Sequence, residues 1–124
     1  NEMEFGVGIH GEPGRRRDKI KSAQEITNEL LNAIIEDLKP ENKDELLLFV
    51  NGMGGTPLSE LYLVYDNAKK ILDSKKIKIA RSLVGNYCTS LEMQGASLTI
   101  TKLDQELKKH WDSPVHTASM RWGL

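Results

Sequence analysis

Apolar and polar positions divide the chain into short blocks of differing period. Residues 3–9 (Met3 to Ile9) alternate apolar with small or polar side chains and stop at His10-Gly11-Glu12-Pro13-Gly14, which predicts a strand running into a tight loop. Ile26, Leu30, Leu31, Ile34, Ile35 and Leu38 recur at helical spacing behind Ser22 and Glu25, a pair that forms a capping box, and Lys39-Pro40 ends that helix. Glu45-Leu46-Leu47-Leu48-Phe49-Val50 is nearly continuous in apolar character, as suits a central strand covered on both faces. A glycine loop, Asn51-Gly52-Met53-Gly54-Gly55-Thr56-Pro57, then leads into a second helix through Leu72, with Thr56 expected as its N-cap and Pro57 at the first helical position. Residues 77–84 and 97–103 alternate as strands that pair with each other, and a short helix over residues 104–111 precedes an irregular tail. Arg15-Arg16-Arg17-Asp18-Lys19 reads as a charged connector. The order of elements predicts an α/β fold, a mixed β-sheet flanked by helices in a single domain.

The chain has 124 residues, enough for one domain that hides roughly two-thirds of its unfolded surface. Seventeen Lys and Arg against eighteen Asp and Glu leave a formal charge of −1, so no global field draws it to nucleic acid or an acidic membrane. The N-terminus has no signal-peptide pattern, and no run of apolar residues is long enough to span a bilayer. One cysteine, Cys88, forms neither an internal disulfide nor a thiolate zinc cage, and it is expected to be small and buried. The expected compartment is the cytoplasm. The chain does not begin with Met, and its first strand lies close to the end; a truncated chain is the expectation.

His10 is the side chain with most chemistry open to it. Gly8 and Gly11 leave room around its ring, and a neutral imidazole attacks carbonyl carbon without prior activation. Glu12 stands two residues on, either to orient that ring or as a solvated turn carboxylate. Gly6-Val7-Gly8-Ile9-His10-Gly11 has the spacing of a dinucleotide fingerprint, but no helix is expected to open after it. The Gly52–Gly55 stretch either offers backbone N–H groups to an anion or is a turn whose glycines permit close packing. His110 and His116 lack metal-ligand spacing, so no metal is expected on this chain. Trp111 and Trp122 are expected to pin the tail.

Four separated strings resemble the substrate-binding K subunit, or K domain, of dihydroxyacetone (glycerone) kinases. They are Met3-Glu4-Phe5-Gly6-Val7-Gly8-Ile9-His10-Gly11-Glu12-Pro13-Gly14, Val50-Asn51-Gly52-Met53-Gly54-Gly55-Thr56-Pro57-Leu58-Ser59-Glu60-Leu61-Tyr62, Gly85-Asn86-Tyr87-Cys88-Thr89-Ser90-Leu91-Glu92-Met93, and Trp111-Asp112-Ser113-Pro114-Val115-His116-Thr117. The resemblance implies that residues 1–124 are the C-terminal part of such a domain, with the larger N-terminal portion absent. It implies that His10 binds the ketone of dihydroxyacetone covalently as a hemiaminal, with Gly8, Gly11 and Glu12 as the supporting loop. Phosphoryl transfer would then draw on a nucleotide (ATP or ADP) and Mg held by a separate L subunit or domain, with no cofactor on this chain and with either ATP or a phosphotransferase-system relay as the source of phosphoryl. The implied partners are that L subunit and a second copy in a homodimer, with neither membrane nor nucleic acid. Acid/base groups lie in the absent portion in the family, so this fragment alone is expected to be inactive. Two alternatives stand beside the kinase: a K-like sensor that co-activates transcription, and an α/β interaction module using the Gly52–Gly55 loop.

Overall fold

The computed structural model describes residues 2–123. Strands β1 (Glu2–Phe5) and β2 (Arg16–Lys19) form an antiparallel hairpin, with Glu2 opposite Lys19 and Phe5 opposite Arg16. Helix α1 (Ala23–Leu38) follows, then β3 (Glu45–Gly52), helix α2 (Leu58–Ser74), β4 (Lys78–Gly85), β5 (Ala96–Leu103) and helix α3 (Gln105–Asp112). Beyond α3 lies a two-residue hairpin of β6 (Val115–His116) and β7 (Arg121–Trp122). Among the described residues, no helix is long and apolar enough to cross a membrane.

The expected mixed sheet is present, with order β4-β3-β5: β4 runs parallel to β3, and β5 antiparallel to it. β3 is therefore central, as its apolar run indicates. The expected pairing of residues 77–84 with 97–103 is not made. β4 and β5 lie on opposite edges of β3, because a strand this apolar is best buried with a neighbour on each side.

Alternation along β3 sends Leu46, Leu48 and Val50, all fully buried, to the face covered by the helices. They meet Leu31 of α1, Leu61, Ala68 and Leu72 of α2, and Ile77 in one cluster. Each fully buried leucine contributes on the order of 2 kcal/mol through removal from water. The opposite face is covered only in part: Leu47 and Phe49 are half-buried, and Phe49 meets Tyr87 edge-on at 5.7 Å.

The capping box of α1 is formed. The Ser22 hydroxyl accepts from the Glu25 amide at 3.3 Å, and the Glu25 carboxylate accepts from the Ser22 amide at 3.0 Å. Lys39 leaves the helix in the left-handed region, φ 47°. At α2 the N-cap is Pro57, and no side chain caps the helix. The Thr56 hydroxyl is engaged elsewhere: it donates to the Gly95 carbonyl and accepts from the Gly95 amide, both at 2.9 Å.

The charged connector is strand β2. Its side chains are taken up locally: Arg16 lies over the Phe5 ring at 4.6 Å, and Asp18 accepts at 2.9 Å from Lys21, two residues past the strand, which also donates to Glu29 of α1 at 2.6 Å. Phe5 is thereby buried under cations while the hairpin is tied to the helix. The tail is ordered too, with Trp111 and Trp122 packed edge to face at 6.0 Å.

Candidate functional site

Two loops meet at the carboxyl end of β3, the place where open α/β sheets offer ligands a crevice. The first carries residues 53–57, directly after Asn51 and Gly52 at the end of β3, and the second residues 86–95. Asn51, almost fully buried, accepts through Oδ1 from the amides of Tyr87 (2.9 Å) and Cys88 (2.8 Å) and donates through Nδ2 to the Cys88 carbonyl (2.8 Å). Asn86 accepts from the Gly54 amide at 3.1 Å. Backbone bonds complete the join, from Met53 to Gly95 (3.1 Å), Gly55 to Met93 (2.9 Å) and Ser90 to Met53 (2.9 Å).

This decides between the two readings of the Gly52–Gly55 stretch. A Cβ on Gly54 would strike the Leu91 carbonyl, and one on Gly55 would strike that of Glu92, so the glycines permit close packing of one loop on another. The amides of Met53, Gly54 and Gly55 are all committed to that neighbour. No cradle of free N–H groups remains among them for an anion.

Beside the joined loops lies a cavity of about 170 Å³ lined by Val7, Ile9, Phe49, Asn51, Met53, Cys88, Ser97 and Thr99. Cys88 is exposed rather than buried. Asn51 grips its backbone on both sides, which frees the side chain from core packing. A more open depression of about 240 Å³, lined by Glu2, Met3, Glu4 and Arg17, lies against the hairpin strands.

Val7 and Ile9 reach the cavity from the β1–β2 loop, which also carries the candidate histidine. The strand expected over residues 3–9 ends at Phe5, where Gly6 turns the chain at φ 72°. At the loop's base the Arg15 amide donates to the Phe5 carbonyl at 2.7 Å, and the Gly14 amide to the Glu4 carboxylate at 2.8 Å. At its tip the Gly11 amide donates to the Gly8 carbonyl and the Gly8 amide to the Glu12 carbonyl, both at 3.0 Å. After Gly11 the chain leads to β2 and not to a helix, so the glycine spacing has no helix N-terminus to offer a pyrophosphate.

His10 stands on that tip with its side chain 83% exposed; the cavity wall is formed by its neighbour Ile9 and not by its ring. Its amide donates to one Glu12 oxygen at 3.1 Å, while the other lies 3.4 Å from Nδ1. Glu12's own amide, then that of His10, hold its carboxyl below the usual glutamate range. The sequence-predicted residues Gly8, His10, Gly11 and Glu12 are thus one tight unit. Sequence reasoning missed the part of Asn51 behind them; its polarity at the end of an apolar strand was the available signal. His110 and His116 lie away from this loop, on α3 and β6, and among the described residues no group of three or more His, Cys, Asp or Glu is placed to hold a metal ion.

Fold and site together define an α/β domain that presents a histidine on a glycine-built hairpin loop beside the carboxyl end of a central strand. The model of the Dak1 domain matches residues 1–119, and the chain belongs to that family. It is 44% identical over 124 residues to the dihydroxyacetone-binding subunit DhaK of a phosphotransferase-system-dependent dihydroxyacetone kinase from Lactococcus lactis, covering 99% of this chain and 37% of that protein. Among solved structures it is similar to the dihydroxyacetone kinase operon co-activator Dha-DhaQ, with TM-score 0.83, 35% identity, and coverage of 91% of this chain and 36% of that one. It is also similar to the dihydroxyacetone kinase from C. freundii solved with AMP-PNP and Mg2+, with TM-score 0.75, 26% identity, and coverage of 98% and 22%. The chain spans 32–41% of the length of the dihydroxyacetone-binding subunits it matches, and 21–22% of the erythrulose kinases and triokinase.

Proposed function

We propose that this chain is the histidine-bearing part of a dihydroxyacetone-binding subunit of a dihydroxyacetone kinase, a cytoplasmic phosphotransferase. The observation that carries the reading is His10 itself. It lies within the string shared with the K subunit, held on a hydrogen-bonded loop with its ring in the open, where a ketone can reach it. One ring nitrogen attacks the carbonyl carbon to give a hemiaminal. A small triose, too poor in surface to bind tightly by contacts alone, is then held covalently for the transfer step.

Capture of this kind selects by chemistry. Glycerol has similar hydroxyls but no carbonyl, so it forms no adduct. The remaining machinery belongs to other polypeptide. Substrate hydroxyl contacts and acid/base groups come from an N-terminal portion, a nucleotide (ATP or ADP) and Mg from an L subunit or domain, and the working subunit is a homodimer. This chain by itself neither turns over nor holds dihydroxyacetone tightly.

Crystals of the intact protein soaked in dihydroxyacetone test the reading. Density continuous from the His10 ring to the ketone carbon is expected, and is lost in His10→Ala; a free triose with no link to His10 refutes it. A second reading has its own support in the likeness to the operon co-activator: a sensor that captures the same ketone without passing it to phosphoryl transfer. Mixing the intact protein with an L subunit and a phosphoryl donor separates them, since the kinase gives dihydroxyacetone phosphate and the sensor none.

A further inference from the structure

We propose that Glu12 is the positioning residue of the site: its carboxylate holds the His10 imidazole in the Nδ1–H tautomer and leaves Nε2 as the attacking atom. The proposal rests on the reading of His10 as the ketone-capturing residue, and adds the group that prepares its ring for attack.

Both oxygens of one carboxylate serve the same histidine. Oε2 accepts from the His10 amide at 3.1 Å, fixing the backbone, while Oε1 lies 3.4 Å from Nδ1, on one side of the ring. Among the described residues no other acid lies within 4.0 Å of a His10 ring nitrogen. An ionised carboxylate only accepts hydrogen bonds, and the two amides that lower the Glu12 carboxyl favour that ionised form. Facing an acceptor, Nδ1 is the nitrogen that keeps the proton, and the lone pair is left on Nε2.

The loop is shaped around this contact. A Cβ on Gly8 would overlap the Glu12 carboxylate, so the space that a side chain would fill at position 8 is where the carboxylate sits. Gly11 has φ 85°, which a residue with a Cβ adopts only under strain, and it returns the chain so that Glu12 lies back against Gly8. The spacing of Gly8, His10, Gly11 and Glu12 thus has a physical reason that no dinucleotide fingerprint supplies.

The chemistry balances with these groups. The Nε2 lone pair forms the C–N bond as the carbonyl π pair moves onto oxygen, giving an imidazolium that still carries its Nδ1 proton and an alkoxide. Glu12 stabilises that cation. The Nδ1 proton then passes by way of Glu12 and water to the alkoxide, so the product is a neutral hemiaminal and Glu12 ends ionised as it began. Loss of Glu12 removes both the tautomer bias and the charge partner.

The test uses the intact protein with dihydroxyacetone carrying 13C at its carbonyl, with adduct formation followed by NMR and the His10 tautomer read from 15N ring shifts. Glu12→Gln retains an acceptor for the His10 amide and keeps the loop; Glu12→Asp retains the charge on a shorter arm; His10→Ala sets the background. In the parent protein Nδ1–H is expected. In Glu12→Gln the tautomer shifts toward Nε2–H and capture slows by about tenfold or more, the scale felt when a carboxylate that orients a histidine is lost. Glu12→Asp is expected to recover part of the rate. An unchanged tautomer and unchanged capture in Glu12→Gln overturn the proposal and leave Glu12 as a turn former. An adduct that survives in His10→Ala defeats the underlying reading instead.

Discussion

Replacing Asn51 by alanine removes the join between β3 and the loop that walls the cavity. The side chain is 3% exposed and makes three hydrogen bonds of 2.8–2.9 Å, all to backbone groups of Tyr87 and Cys88. Such bonds contribute about 1 kcal/mol each, and a group left without a partner out of water costs as much again or more. The segment borders a cavity, so water re-solvates part of it, and we expect a loss of about 3 kcal/mol. Asn51→Asp separates the contributions. It still accepts from both amides but sets an oxygen against the Cys88 carbonyl, so its deficit is smaller, about 1–2 kcal/mol near neutral pH. That deficit shrinks as pH falls, because the introduced carboxyl, once protonated, donates to the same carbonyl. Urea unfolding of the chain, followed by circular dichroism, measures both as shifts in midpoint at constant slope. If Asn51→Ala lies within about 0.5 kcal/mol of the parent protein, the usual range for surface substitutions, the polar join does not hold the loop.

Two further substitutions probe other parts of the structure. Glu45 bonds Lys108 and Lys78, which hold its carboxyl at about 2, well below its ordinary 4.5. With the folded value depressed, its contribution is fully present above about pH 4.5 and is lost as pH falls toward 2; the stability difference between the parent and Glu45→Gln should close over that interval, and a difference constant with pH would contradict this. Gly54→Ala places a Cβ against the Leu91 carbonyl at φ 115°, a cost on the order of 2–3 kcal/mol that should show as a large fall in melting temperature; an unchanged melt would mean the two loops are not packed as described.

Periodicity made α1, α2 and the central place of β3 readable, because each of these buries a face and that face must be apolar. β2 was not readable for the converse reason. In a two-stranded ribbon solvated on both sides, backbone pairing needs no apolar side chains, and Arg16 and Lys21 serve by covering Phe5. Alternation located β4 and β5 but not their partner, since a pleat period says that a strand exists and not which edge it joins. Thr56 has the chemistry of a cap, yet a nearby pair of backbone groups on Gly95 took its hydroxyl. At the site, the glycines and His10 stood out in the sequence because their residue types are special. The service of Asn51 to a loop 36 and 37 residues away has no local signature.

β3 touches both other strands of its sheet, and one of those partners is made well after it. Glu45 pairs with Leu103, so on the ribosome the oiliest segment of the protein must wait for roughly fifty further residues, about five seconds of synthesis, before its second flank is closed. Over that interval the helices already made can shield one side of the nascent strand while its free edge invites pairing with other chains. A holdase chaperone that grips short aliphatic stretches would find its natural target there.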